Sequence, residues 1–495
     1  MNKHLIISAI LAAAFTLPTT LEAAPRKKKQ AKKTQKSPSQ VTAPTKTQTP
    51  LSPVSPQKHE KAYAEFCKIL NEVAANNSFK LGRAFYIALR ATNDEFCIDE
   101  WMQHAANAGN PVAQLFIAQK TLYRVPKDKY LSPEVRAAVA LLRKAADQKY
   151  APAQMEYSKC LKAGIGTLKN ESAAFKMLQE ACASGSYDIR FAWLMESGRI
   201  DKYEDSERPE VKAEIERGNH FLIYYFSLLS PEPETRFTML CKAADMGNDF
   251  AIYNYSELIF QQDANKSFAF LKKAVAQNNP EATFRLASYL LEPPVRLEAS
   301  VGPIKDPATG VIFLKMASML GNADARAELA RIYMSGSYGI EKNAEKAYKH
   351  CAQGAAISGE PELLAAQGYM LLQGMGTRQD TTRGKQLLEL AATGNYPYAK
   401  LLLAYAYHCG LGVEQSASQA TFYLEDLAVN QFPTAFVYLA LMHDSPAPGL
   451  KPDQAKCKYY LEHAERVMPG KATDLFNKLK YQEDGWAPTP MQLKK

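Results

Sequence analysis

The residues of this chain best equipped for chemistry are its eight cysteines: Cys67, Cys97, Cys160, Cys182, Cys241, Cys351, Cys409 and Cys457. In an oxidising compartment they could close four disulfides. Cys160 and Cys182 lie on the two helical stretches of one unit and form the first candidate pair. Cys67 and Cys97 share the N-terminal cap region and form the second. The remaining four are spread one to a unit and read as small buried apolar side chains. Zinc ligation would need clustered His and Cys, and the chain offers His350-Cys351 and His408-Cys409, with His443, Cys457 and His463 further on. Adjacent helical residues point about 100° apart, so neither dipeptide chelates from one face. We expect no metal site. A Ser-x-x-Lys acylation motif spans Ser55 to Lys58, but its Ser-Asp-Asn and Lys-Thr-Gly companions are missing and its surroundings cannot pre-organise it. Gly-x-Gly occurs repeatedly without a preceding strand or a third glycine, which removes the dinucleotide reading. Neither a catalytic residue nor a cofactor is expected.

The elements that carry these residues repeat. Gly-Asn occurs at Gly109, Gly218, Gly247, Gly321 and Gly394, each after one helical pattern and before another. Adding Lys149, Gly185, Asn278, Gly359 and Gln431 gives a ladder with intervals of 40, 36, 33, 29, 31, 43, 38, 35 and 37 residues. A period near three dozen predicts an α-helical solenoid. Within the unit from 322 to 359, Asn322 caps a first helix whose Ala325, Leu329, Ile332 and Tyr333 share a face. Gly336 and Gly339 break that helix. Asn343 starts the second, with Ala347, Cys351 and Ala355 inward, and Gly359 ends it. Gly374 with Gly376, and Gly410 with Gly412, mark the same inter-helix turn further along.

Charge is unevenly placed. Residues 25 to 58 contain nine basic and no acidic side chains, whereas residues 59 to 495 carry 50 of each sign. The overall +9 therefore belongs to a Pro/Lys/Thr-rich segment, and nothing demands a nucleic-acid-binding solenoid. That segment has too few apolar groups to offset its ordering entropy and is expected to be disordered. It either spaces the chain or makes weak, salt-sensitive contact with an anionic envelope surface. Ahead of it, Lys3 and His4, the apolar run Leu5 to Leu17 and Leu21-Glu22-Ala23 read as a secretory signal cut after Ala23. No later stretch reaches membrane-spanning length, so no transmembrane helix is expected after cleavage.

Tyr407-His408-Cys409-Gly410-Leu411-Gly412-Val413 resembles the Tyr-x-x-Gly-x-Gly-Val core of the Sel-1-like repeat, a relative of the tetratricopeptide repeat. Gly164-Ile165-Gly166 and Gly374-Met375-Gly376 are partial matches. Trp101 to Ala106 resembles the family's Trp-x-x-Lys-Ala-Ala helix, with His104 in the Lys place. The likeness runs over roughly residues 77 to 470. Units ending at Gly218, Gly247 and Asn278 lack the Gly-x-Gly turn, and Leu291 to Pro307 inserts a Pro-rich loop. Some exported relatives carry a Cys pair in each unit, seven residues apart across the inter-repeat turn; that spacing is absent here. The resemblance implies an adaptor that presents a groove to a protein or peptide.

We therefore expect an all-α, right-handed superhelical α/α solenoid of about eleven helix pairs. Its parts are a signal peptide (1–23), a basic linker (24–58), an N-terminal capping helix (59–76), the repeats (77–470) and a C-terminal capping helix and tail (471–495). Function is expected to be non-enzymatic scaffolding in a bacterial envelope, periplasmic or secreted, with groove side chains supplied mainly by first helices. Two stretches are singled out for recognition: the acid-rich Glu196 to Arg217 and the Leu291 to Pro307 loop. The runner-up is an envelope enzyme or enzyme-regulating factor acting on cell-wall material.

Overall fold

The computed structural model describes residues 56–122, 129–394, 396–444 and 451–480. The signal, most of the basic linker, Asn395 and the tail beyond 480 lie outside the described residues. Pro56–His59 form a 3₁₀ turn that runs into a helix, Glu60–Ala75, and helix pairs follow without a strand among the described residues.

There are eleven such hairpins among the described residues. Hairpin 1 pairs Gly82–Thr92 with Cys97–Asn107, hairpin 2 Pro111–Leu122 with Pro133–Asp147, and hairpin 3 Ala151–Ala163 with Glu171–Ala181. Hairpin 4 pairs Tyr187–Glu196 with Pro209–Glu216, hairpin 5 His220–Leu229 with Pro233–Asp245, and hairpin 6 Asp249–Ile259 with Ala264–Ala276. Hairpin 7 pairs Pro280–Leu291 with Pro307–Met319, and hairpin 8 Ala323–Ser335 with Ala344–Ser358. Hairpin 9 pairs Pro361–Gln373 with Thr381–Thr393, hairpin 10 Pro397–Cys409 with Ala417–Val429, and hairpin 11 Pro433–Asp444 with Gln454–Val467. Ala472–Lys480 packs on hairpin 11.

One local device joins consecutive hairpins. The Gly109 amide donates to Ala106 O and the Asn110 amide to Ala105 O, both at 3.0 Å, a Schellman closure of the preceding helix. The Asn110 side chain then accepts from the Ala113 amide at 3.0 Å and caps the next helix. The same crossed pair recurs at Gly218, Gly247, Asn278, Gly321 and Gln431. Positive φ is held at Gly109, Gly185, Gly218, Gly247, Gly321 and Gly359, and also at Lys149, Asn278 and Gln431, which have no glycine to ease it. Gly394 departs from this expectation. Its φ is −75°, and a Cβ there would lie 2.6 Å from Pro361 Cγ, so the residue is small for close packing.

The Gly-x-Gly turns also do more than bend the chain. Gly336, Gly339, Gly374, Gly376, Gly410 and Gly412 all have positive φ. A Cβ on Gly376 would sit 2.0 Å from Ala344 O, and one on Gly412 2.3 Å from Thr381 Cβ. At Gly376 and Gly412 the second glycine thus lets the turn touch the start of the preceding hairpin's second helix, whereas a Cβ on Gly339 would meet open space.

Stacking buries the two helices of a hairpin unequally. On Pro361–Gln373 every residue from Leu363 to Leu372 is buried, whereas Thr381–Thr393 buries Gly384, Leu388 and Ala391. On hairpins 9 to 11 the first helices are the inner layer and the second helices keep an open face. The Leu291 to Pro307 insert is not a plain loop: it holds a short helix, Val295–Val301, anchored by fully buried Leu297.

Two glycine substitutions separate backbone strain from packing. Gly109→Ala has open space around its new Cβ and is expected to lower stability by about 1–2 kcal/mol through its left-handed backbone. Gly376→Ala adds a clash with Ala344 and is expected to cost about 1–3 kcal/mol more. Urea unfolding followed by circular dichroism measures both, and equal midpoints would remove the packing role.

Candidate interaction faces and a buried polar seam

After one turn of the array, hairpin 1 lies against hairpins 7 and 8. Its first helix packs on Pro307–Met319, Tyr86 meets Phe313 with ring centroids 6.2 Å apart, and Met316 joins the N-terminal core. The start of hairpin 1 and the linker before it sit just as close: a Cβ on Gly82 would meet Asn278 Oδ1 at 1.9 Å. The Ala151 amide donates to Asn77 Oδ1 at 3.0 Å, and the Tyr150 hydroxyl donates to Ser78 O.

The centre of this seam is Glu95, which is fully buried. It stands in the turn between the helices of hairpin 1, which Asn93 opens with a φ of 50°. Glu95 Oε1 accepts from the Tyr333 hydroxyl at 2.7 Å and from His350 Nε2 at 2.9 Å. Its Oε2 has no aligned hydrogen bond and is held by the charge of Lys315, whose Nζ is 3.2 Å away. Lys315, 2% exposed, donates to Asn93 O at 2.7 Å and Asn93 Oδ1 at 3.1 Å. Lys346 pairs with Asp94 at 3.1 Å, and the His350 ring stacks on Tyr333 and contacts Phe96. Burial alone would raise the Glu95 carboxyl, but the His350 hydrogen bond and the Lys315 charge outweigh it and hold it well below the usual carboxylate range. Burial pulls His350 below its ordinary value despite the opposing pull of Glu95. The cluster is sealed from solvent, so it joins distant hairpins and presents no nucleophile to a substrate.

The cysteines stay apart. All eight are free, and neither Cys160–Cys182 nor Cys67–Cys97 is bonded. Cys160 faces the N-terminal core, while Cys182 sits against Ala151, Leu178 and Ile189. Cys67 hydrogen-bonds Tyr63, and Cys97 Sγ lies 2.9 Å from Thr92 Oγ1. Burial pushes the Cys97, Cys160 and Cys351 thiols up to about 12, far from reactive thiolates. Cys409 is exposed and Cys241 half-buried, so the expectation of a buried apolar role fails for both, most clearly for Cys409. His350 and Cys351 turn to different surroundings, one to the seam and the other to the core of hairpins 7 to 9. Among the described residues no group of three or more His, Cys, Asp or Glu is placed to hold a metal.

The acid-rich stretch largely pairs with itself: Asp205 with Arg208 at 2.9 Å, Glu210 with Arg199 at 3.0 Å and Glu207 with Lys212 at 2.7 Å. Phe221 to Phe226 lie on His220–Leu229, whose Leu222, Ile223, Tyr224 and Phe226 are core. Exposed large apolar side chains fall mainly elsewhere. Of the fourteen among the described residues, seven lie on second helices and three on first helices. On hairpins 9 to 11, whose first helices are largely buried, the exposed large apolar side chains sit on second helices. On hairpins 9 to 11 Leu390, Phe422, Val429, Tyr459 and Val467 form one stripe. Counted from the caps Asp380, Ser416 and Asp453 at about 100° per residue, they fall within about a third of the helix circumference. Phe422 is 63% and Val429 79% exposed. The exposed Arg383, Lys456 and Arg466 fall on the same face. Neighbouring it, an open recess of ≈ 530 Å³ is lined by Lys385, Tyr407, Glu414 and Gln419, among others.

The Sel1 repeat family profile matches residues 122–150, 151–186, 243–279, 280–322, 323–356, 363–396, 397–425 and 437–464, more than half of the chain. This chain belongs to the Sel1 repeat family. The unmatched interior, hairpins 4 and 5, falls among the units that lack Gly-x-Gly, although hairpin 6 lacks it too and is matched. A curated relative is the chitin synthase regulator SKT5 of Saccharomyces cerevisiae, 28% identical over 152 residues. That alignment takes in 27% of this chain and only 22% of the yeast protein. Among solved structures, a Sel1 repeat protein from Oxalobacter formigenes matches at 21% identity and a TM-score of 0.38, over 51% of this chain and 99% of that one. The protective antigen c5321 of uropathogenic Escherichia coli, which displays an SLR fold, matches at 19% identity and a TM-score of 0.44, over 87% and 97%. Repeats of this class are in general non-enzymatic protein–protein interaction scaffolds.

Removing one member of the buried pair tests the seam. Lys315→Met leaves the Glu95 charge unneutralised and is expected to cost about 3–5 kcal/mol. Glu95→Gln/Lys315→Met removes both charges and keeps an acceptor for Tyr333 and His350, and it should recover at least about half of that loss. Thermal melts of the three proteins decide the matter; a double variant as unstable as the single would show that charge compensation is not what holds the contact.

Proposed function

We propose that this chain is an exported scaffold of a bacterial cell envelope, periplasmic or secreted, which holds a protein or peptide partner against its stacked hairpins. The observation that carries this reading is the apolar stripe of Leu390, Phe422, Val429, Tyr459 and Val467 across three successive repeats. A continuous exposed apolar face on a repeat array suits an extended partner, whereas catalysis needs convergent reactive groups. The apolar run Leu5 to Leu17 supports export, and the basic residues of 24–58 suit weak contact with an anionic envelope surface. The likeness to a chitin synthase regulator favours a second reading, in which the partner is an enzyme of cell-wall polysaccharide synthesis and this chain regulates it.

Affinity capture from envelope extract, with the wild type and with Phe422→Ser/Tyr459→Ser, tests the reading. One envelope protein is expected to be recovered with the wild type and reduced about tenfold or more by the variant at unchanged melting temperature. Equal recovery would remove the stripe as the docking face. Turnover of purified wall fragments by the isolated chain would overturn scaffolding as its role.

A further inference from the structure

The seam joins residues 222 to 255 positions apart, and its polar groups are underpaired. Four buried side-chain atoms without a hydrogen-bond partner gather there: Glu95 Oε2, Asp99 Oδ1, Arg326 Nε and His350 Nδ1. Successive hairpins, in contrast, meet mainly through buried Leu, Ala and Tyr. We infer that this seam is an acid-released latch: hairpin 1 stays docked on hairpins 7 and 8 while His350 is neutral and lets go when His350 takes up a proton.

The geometry fixes the tautomer. His350 Nε2 donates to Glu95 Oε1, so the neutral ring carries its proton there and leaves Nδ1 bare. Nδ1 is buried and faces neither donor nor acceptor. Protonation would place a second N–H at that atom with nothing to receive it. It would also add a positive charge to the cluster. Hairpin 1 contributes Asp94, Glu95 and Asp99; hairpin 7 contributes Lys315; the first helix of hairpin 8 contributes Arg326 and Tyr333; the helix of His350 itself contributes Lys346. Asp99 is shared further with Lys120 at 2.5 Å, and Lys349 is taken by Glu345 at 2.7 Å. Arg326, 6% exposed, donates to Gln353 at 2.6 Å and has no carboxylate of its own. Of the carboxylates only Glu95 is fully buried, so a protonated His350 adds a further positive charge beside the buried Lys315 and Arg326.

The direction in pH follows by linkage. His350 in the docked state sits below its ordinary value, while in the released state it titrates near about 6.5. The released state therefore binds more protons below that pH, and docking weakens as pH falls, by up to about tenfold for each unit. Glu95 is held under the usual carboxylate range, so its contribution persists below about pH 4 and does not enter this window. Release would uncover Tyr333, Lys315, Lys346 and Arg326, a basic and aromatic surface that hairpin 1 now covers.

Hydrogen exchange by mass spectrometry on the full chain at pH 7.5 and 5.5, corrected for intrinsic exchange rates, reads this out. Opening in peptides from 82–96 and 307–319 is expected to rise about five- to tenfold at the lower pH, while residues 171–216, which contain no histidine, change less than about twofold and serve as the internal control. His350→Gln keeps an N–H for Glu95 but does not titrate, and it should abolish the rise. A seam equally protected at both pH values, or one that loosens as much in His350→Gln, would overturn the latch. In the wild type, NMR of ring-labelled histidine gives a check independent of the variant: His350 is expected to remain neutral at pH 6, and titration near its ordinary value would refute the proposal.

Discussion

Every feature of this fold depends on how a second helix hands the chain to the next first helix. Six handovers close one helix with a crossed pair of backbone bonds at a left-handed residue, and where the next residue is asparagine it caps the following helix at once. Such a handover allows almost no slack, so consecutive hairpins keep nearly the same relative placement. On hairpins 9 to 11 a first helix is then pressed between its own partner and both neighbours, and most of its residues are buried. The second helix receives neighbours on one side and keeps the other for solvent or a partner. The asymmetry of burial, and with it the location of the exposed stripe, is a consequence of this local geometry.

Regular handovers also accumulate rotation. By hairpins 7 and 8 the array has come round to hairpin 1, and a contact becomes possible that no single repeat encodes. The Gly-x-Gly turns at Gly376 and Gly412 limit the spacing from the other side, because their second glycine touches the preceding hairpin directly. In hairpin 4, where this turn is missing, local ion pairs such as Asp205 with Arg208 and Glu210 with Arg199 bridge the connection instead. The family profile passes over hairpins 4 and 5, of which hairpin 5 packs like the others while the two helices of hairpin 4 barely touch. Stacking requires buried faces and closed helix ends, and the Gly-x-Gly motif is one of several ways to supply them.

This division explains what was legible in the sequence. The ladder was, even at Lys149, Asn278 and Gln431, because a closure followed by a new helix leaves its mark within a few residues. The core face of Ala325, Leu329, Ile332 and Tyr333 was legible for the same reason. Gly394 shows the limit: its neighbours imitate the motif, but its small size serves Pro361 from the preceding rung. The seam left no trace. Glu95 and His350 lie 255 residues apart, and a single glutamate in a turn and a single histidine on a helix carry no periodic signal. Tyr333 was read as core, which is right, while its hydroxyl serves a partner 238 residues away. The strong burial of the first helices on hairpins 9 to 11 was not legible either, because it follows from packing on several sides, which a repeat-by-repeat reading does not add up.

The polar character of the seam bears on what it does. An apolar contact of the same extent would hold hairpin 1 more firmly, since ionised groups lose hydration on burial and recover only part of it from each other. What Glu95 provides instead is selectivity of register. Its two oxygens must meet Tyr333, His350 and Lys315 together, and displacing the array by one residue would leave a buried carboxylate beside donors aimed elsewhere. The contact therefore has one satisfactory arrangement and a steep penalty for its neighbours. A repeat protein built from near-identical units, whose helices would otherwise slide past one another at little cost, gains from this a defined closure point. That closure responds to the charge state of a single ring.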